Sequence, residues 1–194
     1  MSDVEPQVNA VGDVELVTAD AMLALAQPTR LSLMDRLTSR GPATTEELAR
    51  LAGIPVEEAI GHLTALAEAG LIVHDEEAGR RGWRAHGTGI HFEIPDDDGA
   101  AQAAARKLSN TMLLKYADLP REWVEDVEPQ LELPWVRAAG LFNAKLMVTP
   151  DELRRVQADL EQLLGPYLNR AESPADARGV RMLAYFLPGR DPAR

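Results

Sequence analysis

The sequence predicts a mainly α-helical protein with a small β component: a helical N-terminal domain closed by a hairpin, a long helix, then a small α/β region. Three observations carry this. Apolar residues recur at helical spacing in four consecutive runs from Thr18 onward, and Pro28, Gly41, Gly53 and Gly70 stop them in turn. Two runs with strand character, "LIVHDE" and "WRAHGTGIHFEI", flank the turn-rich tip "EAGRRG". Beyond them "AAQAAARKLSNTMLLKYA" reads as one unbroken helix.

The elements follow in order. Residues 1–16 are expected to be a disordered tail, although Val14, Leu16 and Val17 are suited to begin ordered structure. "TADAMLALAQ" is a short apolar-faced helix, and Pro28 opens a second, "PTRLSLMDRLTSRG", with Leu31, Leu33, Met34 and Leu37 inward. "TTEELARLAG" begins with Thr44 three residues before Glu47, the spacing of a capping box, and ends at Gly53. "GIPVEEAIGHLTALAEAGLI" supplies the fourth helix, with Ala59, Leu63 and Leu66 on one face. Asp96, Asp97 and Asp98 precede the long helix and are read as its cap rather than as metal ligands. After a connection broken by Pro120, Pro129 and Pro134, with a short helix around Trp123, "AAGLFNAKLMV" and "GVRMLAYFLP" read as strands. The helix "TPDELRRVQADLEQLLGPYL", with a Thr149–Glu152 box, joins them.

Composition narrows the function. The chain has 194 residues and 45% apolar content, enough for a packed core. It has no cysteine, which excludes disulfides and thiolate metal sites. The acidic N-terminus is not a signal peptide and no apolar run is long enough to span a membrane, so a soluble, cytoplasmic protein is expected. The net charge is −11. Residues 1–98 hold 18 acidic and 7 basic side chains, whereas residues 99–194 hold 13 of each, so the whole excess lies in the first half. No GxGxxG, GxSxG, phosphate-binding loop or HExxH occurs, and enzyme activity is not expected.

Helices followed by a hairpin, the last two joined by a tight turn, make a winged helix-turn-helix, placed at residues 17–95. "ALAQPTRLSLMDRL" resembles the opening of the ArsR-type regulators, and "EELARLAGIPVEEAIGHLTALAEAGLI" resembles their helix-turn-helix. The likeness covers residues 18–92. It implies a homodimeric transcriptional repressor that binds double-stranded DNA and releases it when an effector binds. It also implies that the long helix, residues 96–118, helps dimerisation. Residues 119–194 extend beyond a minimal chain of that kind.

The residues expected to face DNA are Arg30, Thr45, Val56, Glu57, Glu58, Gly61, His62, Thr64, Arg80, Arg81 and Arg84. Between Thr44 and Ile72 there are five acidic residues and a single basic one, Arg50. Each glutamate–phosphate pair about 8 Å apart in water costs roughly 0.5 kcal/mol before screening. Glu57 and Glu58 are read first as stabilisers of the helix dipole, and second as acceptors for a cytosine amino group. Arg80 and Arg81 at the wing tip and Arg84 on its returning strand are placed to reach a minor groove, with Arg30, Arg36, Arg40 and Arg50 near phosphates. Salt bridges from the wing arginines to Asp75, Glu76 and Glu77 are the competing reading.

No cofactor and no metal is expected. His74, His86 and His91 lack fixed spacing, and the cysteine-containing sensor motif of metal-responsive relatives is absent. Trp123, Trp135, Phe142, Tyr167, Tyr185 and Phe186 in the C-terminal region are read first as its core, second as a small-molecule effector pocket. The alternative function is a protein-interaction module whose acidic helix-turn-helix no longer binds DNA.

Overall fold

The structure is a computed structural model that describes residues 7–9, 12–75, 82–94, 96, 98–168, 170 and 172–189. Helix α1 (Ala19–Leu25) starts where the Thr18 hydroxyl accepts the Ala21 N–H. Helix α2 (Pro28–Arg40) starts on a proline whose missing N–H is no loss there, while the Gln27 side chain accepts from Arg30 N at 2.8 Å. Helix α3 (Thr45–Ala52) carries the expected box: Glu47 N donates to Thr44 Oγ1 and Thr44 N donates to Glu47 Oε2. Gly53, at φ +66°, then turns the chain into α4 (Val56–Glu68).

Leu25, Leu33, Leu48, Leu63, Leu66, Leu71 and Ile72 form the buried centre shared by these helices. Against it stands a hairpin of β2 (Ile72–Asp75) and β3 (Gly82–Ala85), antiparallel with Ile72 opposite Ala85 and Asp75 opposite Gly82. The other edge of β3 is bridged by Ala43, which exchanges both backbone hydrogen bonds with Trp83 at 2.8 and 3.0 Å. This is a winged helix-turn-helix. Helix α5 (Gly99–Tyr116) follows, its first turn capped by Asp98, whose carboxylate accepts from Ala100 N and Ala101 N. Ala101, Ala104, Ala105 and Leu108 bury one face of α5, chiefly against α1.

Order begins earlier than residue 17. Strand β1 (Asp13–Glu15) pairs in parallel with β4 (Gly89–His91), Val14 opposite Ile90, because Val14 and Leu16 find buried sites. That pairing also divides "WRAHGTGIHFEI": only its first part stays in the wing, and the rest leaves to meet β1. The glycines make the close approach possible. A Cβ at Gly87 would lie 2.4 Å from Gly12 O, and one at Gly89 2.5 Å from Asp13 Oδ1.

Past α5 the chain is helical but coreless. Short helices α6 (Leu119–Glu122) and α7 (Leu133–Ala138) bracket a π-helical turn at Trp123–Val127 and a 3-10 turn at Glu128–Gln130. Helix α8 (Pro150–Leu168) forms with its expected box, Thr149 N donating to Glu152 Oε2 at 2.8 Å. Hydrogen bonds from the Thr149 N–H and the Thr149 hydroxyl hold the Glu152 carboxyl below its ordinary value. The two expected strands do not form: 139–149 and 178–189 adopt no regular secondary structure and have no ladder partner among the described residues. Nor do the aromatics build a core, for no described residue after Leu108 is buried. Apolar alternation marks a segment suited to a sheet, but a strand exists only where a second one meets it.

One tether returns the C-terminal segment to the helical domain. Asp35 on α2 accepts the Tyr116 hydroxyl at 2.8 Å and lies 3.6 Å from both Lys115 Nζ and Arg181 Nη1. The Arg181 guanidinium also sits over the Tyr116 ring. Burial, then the hydrogen bond to Asp35, raises the Tyr116 hydroxyl above its ordinary value. No helix among the described residues is long and apolar enough to cross a membrane.

Candidate nucleic-acid interface

Helix α4 is divided lengthwise. Ala59, Leu63 and Leu66 are fully buried, which fixes the helix rotation and presents Glu57, Glu58, Ile60, Gly61, Thr64 and Glu68 to solvent. Val56 opens the helix half-buried, and His62 lies at the margin with Nε2 3.4 Å from Glu58 Oε1. The face is thus a ridge of small, polar and acidic groups on a rigid back.

The first turn explains its glutamates. Pro55 occupies the N-cap and offers no side-chain hydrogen bond, so no capping side chain neutralises the free N–H end. Glu57 and Glu58 are the only acidic groups in that turn and supply the dipole partner that the cap does not. The same carboxylates lie on the surface that a major groove would meet.

The remaining expected residues separate. Thr45 is half-buried, its Oγ1 accepting the Trp83 indole N–H at 3.0 Å. Arg30 and Arg36 turn inward, donating to Leu23 O at 3.3 Å and Gly41 O at 3.2 Å. Arg40 and Arg50 are exposed, as is Arg84, which lies opposite Val73 on the outer face of the hairpin. Arg80 and Arg81, with Glu76 and Glu77, lie outside the described residues.

Trp83 was not singled out from the sequence, and Ile60 was read on the helix without being named as a contact. Trp83 anchors the wing, binding Thr45 through its indole, Ala43 through its backbone and the His74 ring at 3.9 Å between centroids. Ile60 on α4 and Leu51 on α3 are exposed apolar residues, Ile60 at 50%. Ile60 was legible, since it falls off the Ala59–Leu63–Leu66 stripe. An apolar side chain there suits a thymine methyl.

The histidines do not converge. His74 stacks on Trp83, His91 faces Glu93 at 3.9 Å, and the His86 N–H donates to Leu71 O. Among the described residues no group of three or more His, Asp or Glu side chains is arranged to hold a metal ion. A shallow pocket of about 250 Å³ lies between α2 and α5, lined by Pro28, Ser32, Thr111, Leu114 and Lys115, away from the C-terminal aromatics.

A family model described as a helix-turn-helix domain matches residues 25–75. The chain carries a helix-turn-helix domain. The match runs from the end of α1 through β2, so it takes in α4 and the first wing strand. No curated protein matches the chain.

Proposed function

We propose that the chain is a DNA-binding transcriptional regulator that acts as a homodimeric repressor, in the manner of the ArsR-type proteins it resembles. The observation that carries this reading is the division of α4: a back locked by Ala59, Leu63 and Leu66, and an outward ridge with Gly61 and Thr64 at its centre. Helix α4 enters the major groove, Thr64 and Ile60 meet base edges, and the wing lies along the flanking backbone. Arg40, Arg50 and Arg84, with Arg80 and Arg81, supply the phosphate contacts. Glu57 and Glu58 lower affinity for arbitrary DNA, which sharpens the preference for a sequence that offers cytosine amino groups. The chain is assigned no catalytic role.

A second reading rests on the exposed Glu46, Glu57, Glu58 and Glu68, a face suited to a basic protein surface. One binding experiment separates the two. Fragments of the protein's own promoter region are titrated at 50 and 200 mM salt, with wild type and an Arg80/Arg81→Ala variant. A regulator binds one fragment, weakens by orders of magnitude between those salts, and loses affinity in the variant. Equal, weak binding to every fragment refutes the regulator and leaves the acidic face for a protein partner.

A further inference from the structure

We propose that Arg178 and Arg181 form a clasp that fastens the C-terminal region to the helical domain, opens under ionic screening, and releases that region while the helical domain stays folded. The proposal is independent of the DNA-reading assignment.

The first support is a repeated pattern of partners. Two arginines three positions apart each take a carboxylate and an aromatic ring. Arg178 Nη2 donates to Glu132 Oε1 at 2.9 Å, and its guanidinium lies 5.4 Å from the centre of the Trp135 ring. Arg181 Nη1 lies 3.6 Å from Asp35 Oδ1, and its guanidinium lies 5.2 Å from the centre of the Tyr116 ring. A planar guanidinium serves a flat π face and an anion together, which a lysine ammonium does less well. Glu132 and Trp135 belong to the start of α7, whereas Asp35 is on α2 and Tyr116 ends α5. The short stretch 178–181 therefore joins the C-terminal region to the helical domain. Its grip falls on α2, which packs against α3, α4 and β3.

The second support is what stays satisfied when the clasp opens. Asp35 keeps the Tyr116 hydroxyl at 2.8 Å and Lys115 Nζ at 3.6 Å, so losing Arg181 leaves the carboxylate with a donor and a cation. Lys115 is held in turn by Ser32 Oγ at 2.8 Å. The arginine side chains are already 46% and 43% exposed and pass into water at little cost. Exposed pairs of this kind contribute little each and weaken further in salt.

The third support is that no apolar core opposes release. No described residue after Leu108 is buried, and α7 and α8 share no principal packing contact with α1–α5 among the described residues. The closed state thus rests on polar contacts that salt screens, while the helical domain rests on a buried core that salt leaves in place.

The test uses the full chain. It has no cysteine, so two introduced cysteines carry spin labels at chosen sites. Ser39→Cys near the end of α2 and Ala184→Cys beyond Arg181 are both at exposed positions. The labelled chain is diluted into excess unlabelled chain, so that only distances within one chain are read. Pulsed electron resonance is expected to give one narrow distance at about 50 mM salt and to lose it at about 0.5 M. Adding Arg178→Gln/Arg181→Gln is expected to lose the narrow distance at low salt, with helical circular dichroism unchanged. Arg154→Gln/Arg155→Gln, on the exposed surface of α8, removes the same charge and is expected to keep it. A narrow distance that survives either high salt or the Arg178/Arg181 variant overturns the clasp. A broad distribution at low salt before any arginine is changed, or in the α8 variant, overturns it as well. Loss of helical signal on opening overturns release from an intact domain.

Discussion

Gly61→Ala isolates the working face of α4 from its structural role. Gly61 is exposed in the middle of the helix, and a Cβ built there meets no atom within 4 Å. Nothing in the fold therefore requires glycine, while its backbone freedom makes it about 1 kcal/mol worse than alanine in a helix interior. The substitution should stabilise the domain by about that amount, roughly 5 °C in Tm for a unit of this size. The same methyl stands on the ridge proposed to face DNA. Where backbone or base edge approaches the helix closely, it should reduce operator affinity about tenfold, or about 1.4 kcal/mol. Thermal melting by circular dichroism and fluorescence anisotropy on a labelled operator duplex read the two effects separately. A higher Tm with unchanged affinity would refute close approach at Gly61, and a lower Tm would refute the claim that the fold leaves the site free.

Other outcomes follow from the same geometry. Glu57→Gln/Glu58→Gln should raise affinity for non-specific duplex at low salt while weakening α4 by about 0.3–1 kcal/mol per residue, read by anisotropy and urea unfolding; unchanged DNA affinity would place these carboxylates away from the groove. Tyr116→Phe should cost about 1–2 kcal/mol in chemical unfolding, since it removes a hydroxyl donor to the Asp35 carboxylate. Burial raises the Asp13 carboxyl above its ordinary value of 3.8, against the smaller lowering by Thr88 and His91. The native state therefore keeps a proton that the unfolded chain has released, and this contribution to stability falls as pH rises from about 3.8 through the raised value. Asp13→Asn should flatten that fall in pH-dependent melting, and an unaltered profile would count against it.

Much of the helical domain was legible because its signals are local. The Thr44–Glu47 and Thr149–Glu152 boxes, Pro28 and Gly53 fix helix ends within a few residues of themselves, and each end formed as expected. What the sequence hid was pairing at a distance. Val14 and Leu16 hinted at order near the N-terminus, yet nothing local to "DVEL" says that Gly89 is its partner 76 positions away. The two C-terminal apolar runs hid the converse, since strand-like composition fixes no partner and among the described residues these segments find none. At the interface, the rotation of α4 was legible from Ala59, Leu63 and Leu66. The inward turn of Arg30 and Arg36 was not, because long cations reach either a phosphate or a nearby carbonyl from the same position.

Site-specific photo-crosslinking from α4 tests the DNA-reading assignment most directly. A photoreactive residue replaces Thr64 on the outward face or, in a control protein, Arg106 on the exposed side of α5. Each is mixed with the promoter fragment that wild type binds. Thr64 should cross-link to bases in the major groove at one site, and Arg106 should give no cross-link. Binding of the fragment without any cross-link from Thr64 would contradict the assignment, leaving α4 with the shape of a reading helix and no part in reading.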